Sequence, residues 1–393
     1  MKKSVQTFSK IVTACMQAGL LFLFMLVFIP GRSQTLTNDF VAAGYTLTDL
    51  GSIDQLPAQN GGLTIRPEQP NTLYIGGSAN NSGGGLYTVA LTRDPVTNHI
   101  TGFGGAATLF TEAPNNDGGI LFDQNGTLLF TRYSMNELGQ KLTNNTYSTT
   151  SLTEYGVASS VGALALVPDG YPGAGGLVFS SYNTGILYNV PYTVDAAGQY
   201  FLSNKIAEVT VYPEAAGPEG IAYIPAGSAA FPNLSMAISS YGTGTVVVYE
   251  VGEYGLPVTS TARQMVIGLS GAEGAWIDPV TGDFLFSTFG GGNKVIRISG
   301  FEIPTAIRED ITGTGSGFSI YPNPSEGYCK LNFTKPVSKG LVTVYTTQGG
   351  KVMEQEFSTS NFHELNLSAL PSGSYFIRVK TENSAAYQKL ILR

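Results

Sequence analysis

Short apolar stretches recur along residues 45–303. Each is bounded by Gly, Pro, Asn or Asp, and many alternate apolar with polar side chains in the two-residue period of a strand. Five of them open on one phrase: Asn60-Gly61-Gly62-Leu63, Asp117-Gly118-Gly119-Ile120, Val161-Gly162-Ala163-Leu164, Glu219-Gly220-Ile221-Ala222 and Glu273-Gly274-Ala275-Trp276. A second phrase follows most of them: Phe179-Ser180-Ser181-Tyr182, Ile238-Ser239-Ser240-Tyr241 and Phe286-Ser287-Thr288-Phe289, each running into a Gly-containing turn.

Counted between glycines 61, 118, 162, 220 and 274, the repeats are 57, 44, 58 and 54 residues long. Strand-rich units of that length match β-propeller blades of four strands. The fourth unit predicts strands over 221–224, 234–240, 245–251 and 263–267, and the third over 164–167, 177–181, 186–190 and 206–211. The fifth has three evident strands, while residues 45–53 form a strand standing ahead of the first unit. That strand is expected to complete the last blade and close the ring, which leaves no long unpaired edge. The expectation is an all-β chain: a five-bladed β-propeller over 35–304, with six as the alternative count, because the second unit is short and the periods are uneven.

Composition agrees. The 49 glycines, 21 Tyr and 21 Phe with 12% charged residues suit short strands and tight turns. The net charge is −7. Removing residues 1–34, with their four basic side chains and no acids, leaves 17 basic against 28 acidic groups. Nucleic acid is therefore not an expected partner, since phosphate binding needs a basic footprint. Cys15 and Cys329 are the two cysteines and His99 and His363 the two histidines, so an internal disulfide in the mature chain, a Cys-type zinc site and a two-His metal site are not expected.

Lys2, Lys3 and Lys10 followed by the apolar run 18–29 have the form of a secretory signal over residues 1–34, too short to span a bilayer comfortably, so no membrane span is expected in the mature chain. Residues 305–316 form a linker. From 317 to 393 about seven short strands are expected, an immunoglobulin-like β-sandwich pattern. Its pieces are Tyr321-Pro322-Asn323-Pro324, Val342-Thr343-Val344-Tyr345, Leu370-Pro371-Ser372-Gly373-Ser374-Tyr375-Phe376-Ile377-Arg378-Val379 and Lys389-Leu390-Ile391. In these motifs the stretch resembles the type A C-terminal sorting domain of Bacteroidetes type IX secretion substrates. The resemblance implies the type IX machinery as partner through 317–393, passage across the outer membrane, and a cell-surface or extracellular location.

In an antiparallel blade the residue before each first-phrase Gly shares a face with the second-phrase turn. That position carries Asn60, Asp117, Val161, Glu219 and Glu273. Oxygen-only ligands on converging strands suit a hard cation, so Asn60, Asp117, Glu219 and Glu273 are candidate ligands for calcium. In the other reading each one caps backbone N–H groups of its own turn, facing solvent. Tyr133, Tyr182, Tyr241 and Phe289 occupy equivalent places beside the hydroxyls of Ser180, Ser181, Ser239, Ser240, Ser287 and Thr288. They are candidate stacking groups for a carbohydrate or protein ligand, or else rings packed between blades. Trp276, the single Trp, is expected in the core. The Glu219-Gly220-Ile221-Ala222-Tyr223 and Glu273-Gly274-Ala275-Trp276-Ile277-Asp278-Pro279 phrases resemble those of lactonase-like and NHL-like propellers. That resemblance implies a central divalent cation. Two functions follow: a non-catalytic surface binding protein, or a calcium-dependent hydrolase of lactonase or glycosidase type using Asp117, Glu219 and Glu273.

Overall fold

The structure, a computed structural model, describes residues 34–301, 318–346, 351–381 and 385–393. The expected leader, apart from Gln34, and the linker at 305–316 lie outside the described residues.

Residues 35–299 form five antiparallel sheets of four or five strands. Sheet I is built on Leu63–Ile65, Thr72–Gly77 and Gly85–Arg93, the last pairing with both Ile100–Phe103 and Thr108–Glu112. Sheet II runs Asn116–Phe122, Leu128–Arg132, Glu137–Lys141 and Tyr147–Ser151. Sheet III runs Val161–Leu166, Leu177–Ser181, Ile186–Val190 and Ala207–Thr210, with the hairpin Tyr192–Val194 and Tyr200–Leu202 inserted before its last strand. Sheet IV runs Pro218–Ile224, Ser235–Ser240, Thr245–Val251 and Pro257–Ile267, with Thr35–Leu36 added at its outer edge. Sheet V runs Ala272–Ile277, Phe284–Thr288, Lys294–Ser299 and finally Thr46–Ser52 from the start of the chain. The strand expected to complete the last unit does so, over Thr46↔Ser299 to Ser52↔Lys294.

Apolar seams join the sheets in sequence. Tyr74 and Leu86 of sheet I pack with Ile120 and Phe130 of sheet II; Leu129 and Leu138 of sheet II pack with Leu164 and Phe179 of sheet III. Val178 and Leu187 of sheet III meet Ile221 and Met236 of sheet IV, and Val246 and Val248 of sheet IV meet Phe284 and Phe286 of sheet V. The series returns to its start where Leu285 and Val295 of sheet V pack with Leu63 and Leu73 of sheet I. Sheets packed face to face in a closed series are a β-propeller. This sandwiching explains why second strands such as Ser235–Ser240 are buried at every position instead of alternating. Outer strands such as Ala207–Thr210 do alternate.

The innermost strands, beginning at residues 63, 116, 161, 218 and 272, converge on the axis, and the first-phrase glycines are what allow it. A Cβ on Gly118 would lie 1.8 Å from the Glu219 carbonyl oxygen of sheet IV, one on Gly274 2.3 Å from Gly62 Cα, and one on Gly220 2.5 Å from the Glu273 carbonyl oxygen. The first hydroxyl of the second phrase then staples one sheet to the next. Thr131 Oγ1 donates to Gly162 O at 2.6 Å, Ser180 Oγ to Pro218 O at 2.7 Å, and Ser287 Oγ to Gly61 O at 2.6 Å.

Residues 318–393 have their own core, around Phe318, Leu331, Val344, Ile377 and Leu390. Among the described residues five strands stand where about seven short ones were expected. Two are long, Tyr328–Thr346 and Lys351–Asn366, and they pair with each other along most of their length. The first half of Tyr328–Thr346 pairs with Phe318–Tyr321 and its second half with Gly373–Thr381. Asn323 pins the last strand, donating from Nδ2 to Lys389 O at 2.7 Å and accepting from Ile391 N at 3.0 Å. Tyr375 Oη donates to Pro371 O at 2.7 Å. Cys329 is buried in this core, which pushes its thiol up to about 11 and leaves it protonated at neutral pH. Among the described residues no helix is long and apolar enough to cross a membrane.

Candidate functional site

The innermost strands of sheets II, IV and V deliver Asp117, Glu219 and Glu273 to one point on the axis. One carboxylate oxygen from each lies within 4.8 Å of those of the other two, and the residues are 1%, 3% and 2% exposed. A bulge at the first phrase turns each side chain inward: register shifts fall between Asn116 and Ile120, Pro218 and Gly220, and Ala272 and Ala275. The glycine before Ala163 leaves room for one of the acids; a Cβ on Gly162 would lie 2.5 Å from Glu219 Oε2.

Neither oxygen of Asp117, nor Glu219 Oε2, nor Glu273 Oε1 has a protein hydrogen-bond donor at good geometry. The reading of these acids as solvent-facing turn caps is therefore overturned: they are buried, and their free oxygens are left to one another. Burial pushes Asp117 up to about 7, opposed by the carboxyls of Glu219 and Glu273, the Asn80 side chain and the Gly118 N–H. Glu219 and Glu273 are raised well above the ordinary range, first by burial and then by the Asp117 charge.

Asn60, the fourth expected ligand, is fully buried at the start of the sheet I strand with both amide atoms unpartnered. Gly62 N, two residues on, donates to Asp117 O at 2.7 Å. Val161 fills the fifth position and brings no oxygen. Two amides were missed, half-buried Asn80 and buried Asn116. Asn80 approaches Asp117, and Asn116 has an unpartnered Oδ1. The available signal was the stretch Ser78-Ala79-Asn80-Asn81, which stands where other units place an aromatic turn; Ser78 and Asn80 adopt positive φ of 49° and 64°.

Outside the acids, the four aromatic side chains are brought together. Ring centroids run Tyr133 to Tyr182 at 5.8 Å, Tyr182 to Tyr241 at 6.0 Å and Tyr241 to Phe289 at 6.2 Å, all edge to face. The backbone N–H of each ring residue bonds to the mouth of its own sheet's innermost strand: Tyr133 to Asn115, Tyr182 to Ser160, Tyr241 to Gly217 and Phe289 to Gly271. In sheet I the same bond runs from Ser78 N to Ala58 O, so the arc is open there. Tyr241 is 38% exposed and the other three are half-buried. Burial and then the Glu219 charge raise Tyr182. The hydroxyls of Ser180, Ser181, Ser239, Ser240, Ser287 and Thr288, expected beside a ligand, are buried instead. Several of them are spent on backbone bonds: besides the staples, Ser181 Oγ donates to Ser159 O at 3.0 Å and Thr288 Oγ1 to Gly290 O at 3.0 Å.

Residues 319–393 match the family model described as a secretion system C-terminal sorting domain. Residues 319–393 are a type IX secretion sorting domain. The sorting domain directs the protein across the outer membrane to the cell surface or the medium. Its Asn323 and Tyr375 belong to the sequence motifs that mark it and serve as the internal ties described above.

The chain also resembles solved structures at low identity. The virginiamycin B lyase of Staphylococcus aureus is 13% identical, with 89% of this chain and 100% of that chain covered and a TM-score of 0.34. An aldose sugar dehydrogenase from Streptomyces coelicolor is 12% identical, over 64% and 83%, at 0.36. An auxiliary nutrient binding protein from Bacteroides thetaiotaomicron is 9% identical, over 66% and 77%, at 0.39. No curated protein sequence is significantly similar to the chain. At these values the likenesses say nothing about activity.

Proposed function

We propose that this is a non-catalytic cell-surface binding protein, in which a five-bladed propeller holds a calcium-type cation on its axis and presents an aromatic arc to a carbohydrate. The observation that carries this reading is the separation between the two layers. The acids are sealed at 1–3% exposure, while the rings, tied by their backbone N–H groups to the mouths of the innermost strands, reach solvent.

Three carboxylates, each short of donors and each with one oxygen within 4.8 Å of the others, fit a hard cation that takes oxygen ligands, and the unpartnered Asn60 Oδ1 is a further oxygen of that kind. Bound there, the cation offsets two of the three carboxylate charges and ties sheets II, IV and V together. Hydrolysis at such an ion requires an open coordination position for water and substrate. The closed arrangement favours a structural role over the lactonase or glycosidase alternative. Aromatic faces with Tyr hydroxyls at their edges suit a sugar ring, which has one apolar face and a polar rim.

The test uses the full mature chain. Calcium should raise its Tm relative to chelator, and the rise should vanish in the Glu219→Gln/Glu273→Gln double variant. A glycan array should give hits that Tyr182→Ala/Tyr241→Ala loses while its Tm response to calcium persists. Binding that depends on calcium but not on the arc would overturn the assignment of the rings. Turnover of lactones or glycosides lost with the acids would favour the hydrolase.

A further inference from the structure

In each sheet one turn joins the second strand to the third, over 78–84, 133–136, 182–185, 241–244 and 289–293, and none of these turns contains a charged residue. The two basic residues that flank them are already paired, Arg132 with Glu137 and Lys294 with Asp49 at 2.5 Å. Each of the four aromatic residues opens one of the turns. The N–H groups of Tyr133, Tyr241 and Phe289 bond to Asn115, Gly217 and Gly271, each two residues before Asp117, Glu219 or Glu273. Two residues span roughly 7 Å of strand. Tyr182 meets the same stretch through its ring, since a Cβ on Gly217 would lie 2.8 Å from Tyr182 Cε2. The charge of the acids reaches the rings: after burial, Glu219 is the next cause that raises the Tyr182 phenol, and Glu273 adds to it.

The unpaired charges at this end of the axis are therefore of one sign. A calcium ion there offsets two of the three carboxylates and leaves one negative charge. Of the 17 basic and 28 acidic groups after residue 34, eight and five lie in 319–393, which leaves nine against 23 for residues 35–318. The wider surface adds to the negative field. An aromatic face is the negative pole of the ring quadrupole and attracts cations. A neutral sugar uses the apolar faces and leaves that field unanswered, and an anionic sugar is repelled by it.

We infer that the ligand of the arc is an amino sugar, a carbohydrate whose free amine is protonated and lies against the ring faces. The inference rests on the proposed reading of the arc as a carbohydrate site and of the axis as a calcium site. The rings supply cation–π attraction, the axis supplies the counter-charge, and the uncharged turns leave no basic side chain to compete with the ligand. Acetylation removes the charge of the amine, so N-acetylated sugars fall with the neutral ones.

The probes are cellotetraose and the chitosan tetramer, which share one frame and differ at C2 of each ring in a hydroxyl or an ammonium group. In the full mature chain saturated with calcium, at slightly acid pH and low salt, calorimetric titration should give the chitosan tetramer roughly tenfold tighter binding than cellotetraose. The margin should shrink as salt is raised, and the N-acetylated tetramer should lose it. Asp117→Asn, which leaves two carboxylates to balance the ion, should reduce the margin several-fold. If that variant loses its calcium response, the salt series and the acetylated tetramer decide by themselves. Tyr182→Ala/Tyr241→Ala should lose both tetramers. Equal binding of the two would overturn the inference and leave the carbohydrate reading standing, whereas binding of neither would overturn both. An amine preference that survives Tyr182→Ala/Tyr241→Ala would belong to the acidic surface at large and would also overturn it.

Discussion

The propeller buries two groups of acids, and they are treated in opposite ways. At the seam between sheets V and I, Asp278 is fully buried and receives a bidentate ion pair from Arg93, with both N–O distances 2.8 Å, together with the Thr281 hydroxyl at 2.6 Å. Asp283, also fully buried, meets His99 Nδ1 at 2.7 Å and Arg297 Nε at 3.7 Å. On the axis, Asp117, Glu219 and Glu273 are buried almost as completely and face one another with no cation from the protein within ion-pair distance among the described residues. Burial raises Asp283 as well, but His99 and Arg297 draw it back, whereas at the axis the neighbouring charges reinforce the rise in both glutamates. A buried carboxylate with its counter-charge supplied locally locks a seam. A set without one asks for a charge from outside, and it is on this ground that the axis, not the seam, is read as a cation site.

The sharpest break in that comparison is the sign of a neutralising change. Arg93→Ala leaves Asp278 buried and unpaired, and should cost roughly 3–5 kcal/mol in urea unfolding. Asp117→Asn in chelator should cost nothing or stabilise, since it removes a buried charge that lacks a partner. Equal destabilisation by both would erase the distinction. Next in size is the calcium response. At about a hundredfold excess over Kd a site bound only by the folded state adds about 2.7 kcal/mol, which in a propeller of this length corresponds to a Tm rise of roughly 5–10 °C. The Glu219→Gln/Glu273→Gln variant should show none of it.

A smaller effect separates the groups by pH. The axial acids have folded-state values above their unfolded ones, so the folded state holds more protons than the unfolded. In chelator, stability is then greatest near the ordinary carboxylate range, about pH 4. It is lost as pH rises toward the Asp117 value of about 7, and further as the glutamates ionise. Calcium needs the ionised ligands, so it should cancel that fall, and a thermal melt series across pH with and without calcium reads it directly. Least of all, Tyr241→Ala should change stability by about 1 kcal/mol or less, because the ring is 38% exposed, while removing ligand binding.

The fold was largely legible because its signals are local. Strand lengths, turns and the repeated Gly phrase are written in consecutive residues, and the expected strands 177–181, 186–190 and 245–251 coincide with Leu177–Ser181, Ile186–Val190 and Thr245–Val251. The seven short strands of the tail were misread, since a long strand that changes partners midway carries the same residue pattern as two short ones.

By itself the sequence determined the all-β repeat, the strand that completes sheet V, the export address and the residue types offered to the axis. These follow from periodicity and from motifs that read the same in any context. Only the tertiary structure decided that three of the four expected ligands converge within 4.8 Å, that the repeated hydroxyls staple neighbouring sheets, and that Trp276 borders a cavity instead of filling the core. The reason is geometric. Whether a glycine's neighbour is solvent or another strand's carbonyl depends on residues over a hundred positions away. Gly118 against Glu219 is the clearest instance, and it cannot be read until the sheets close on one another.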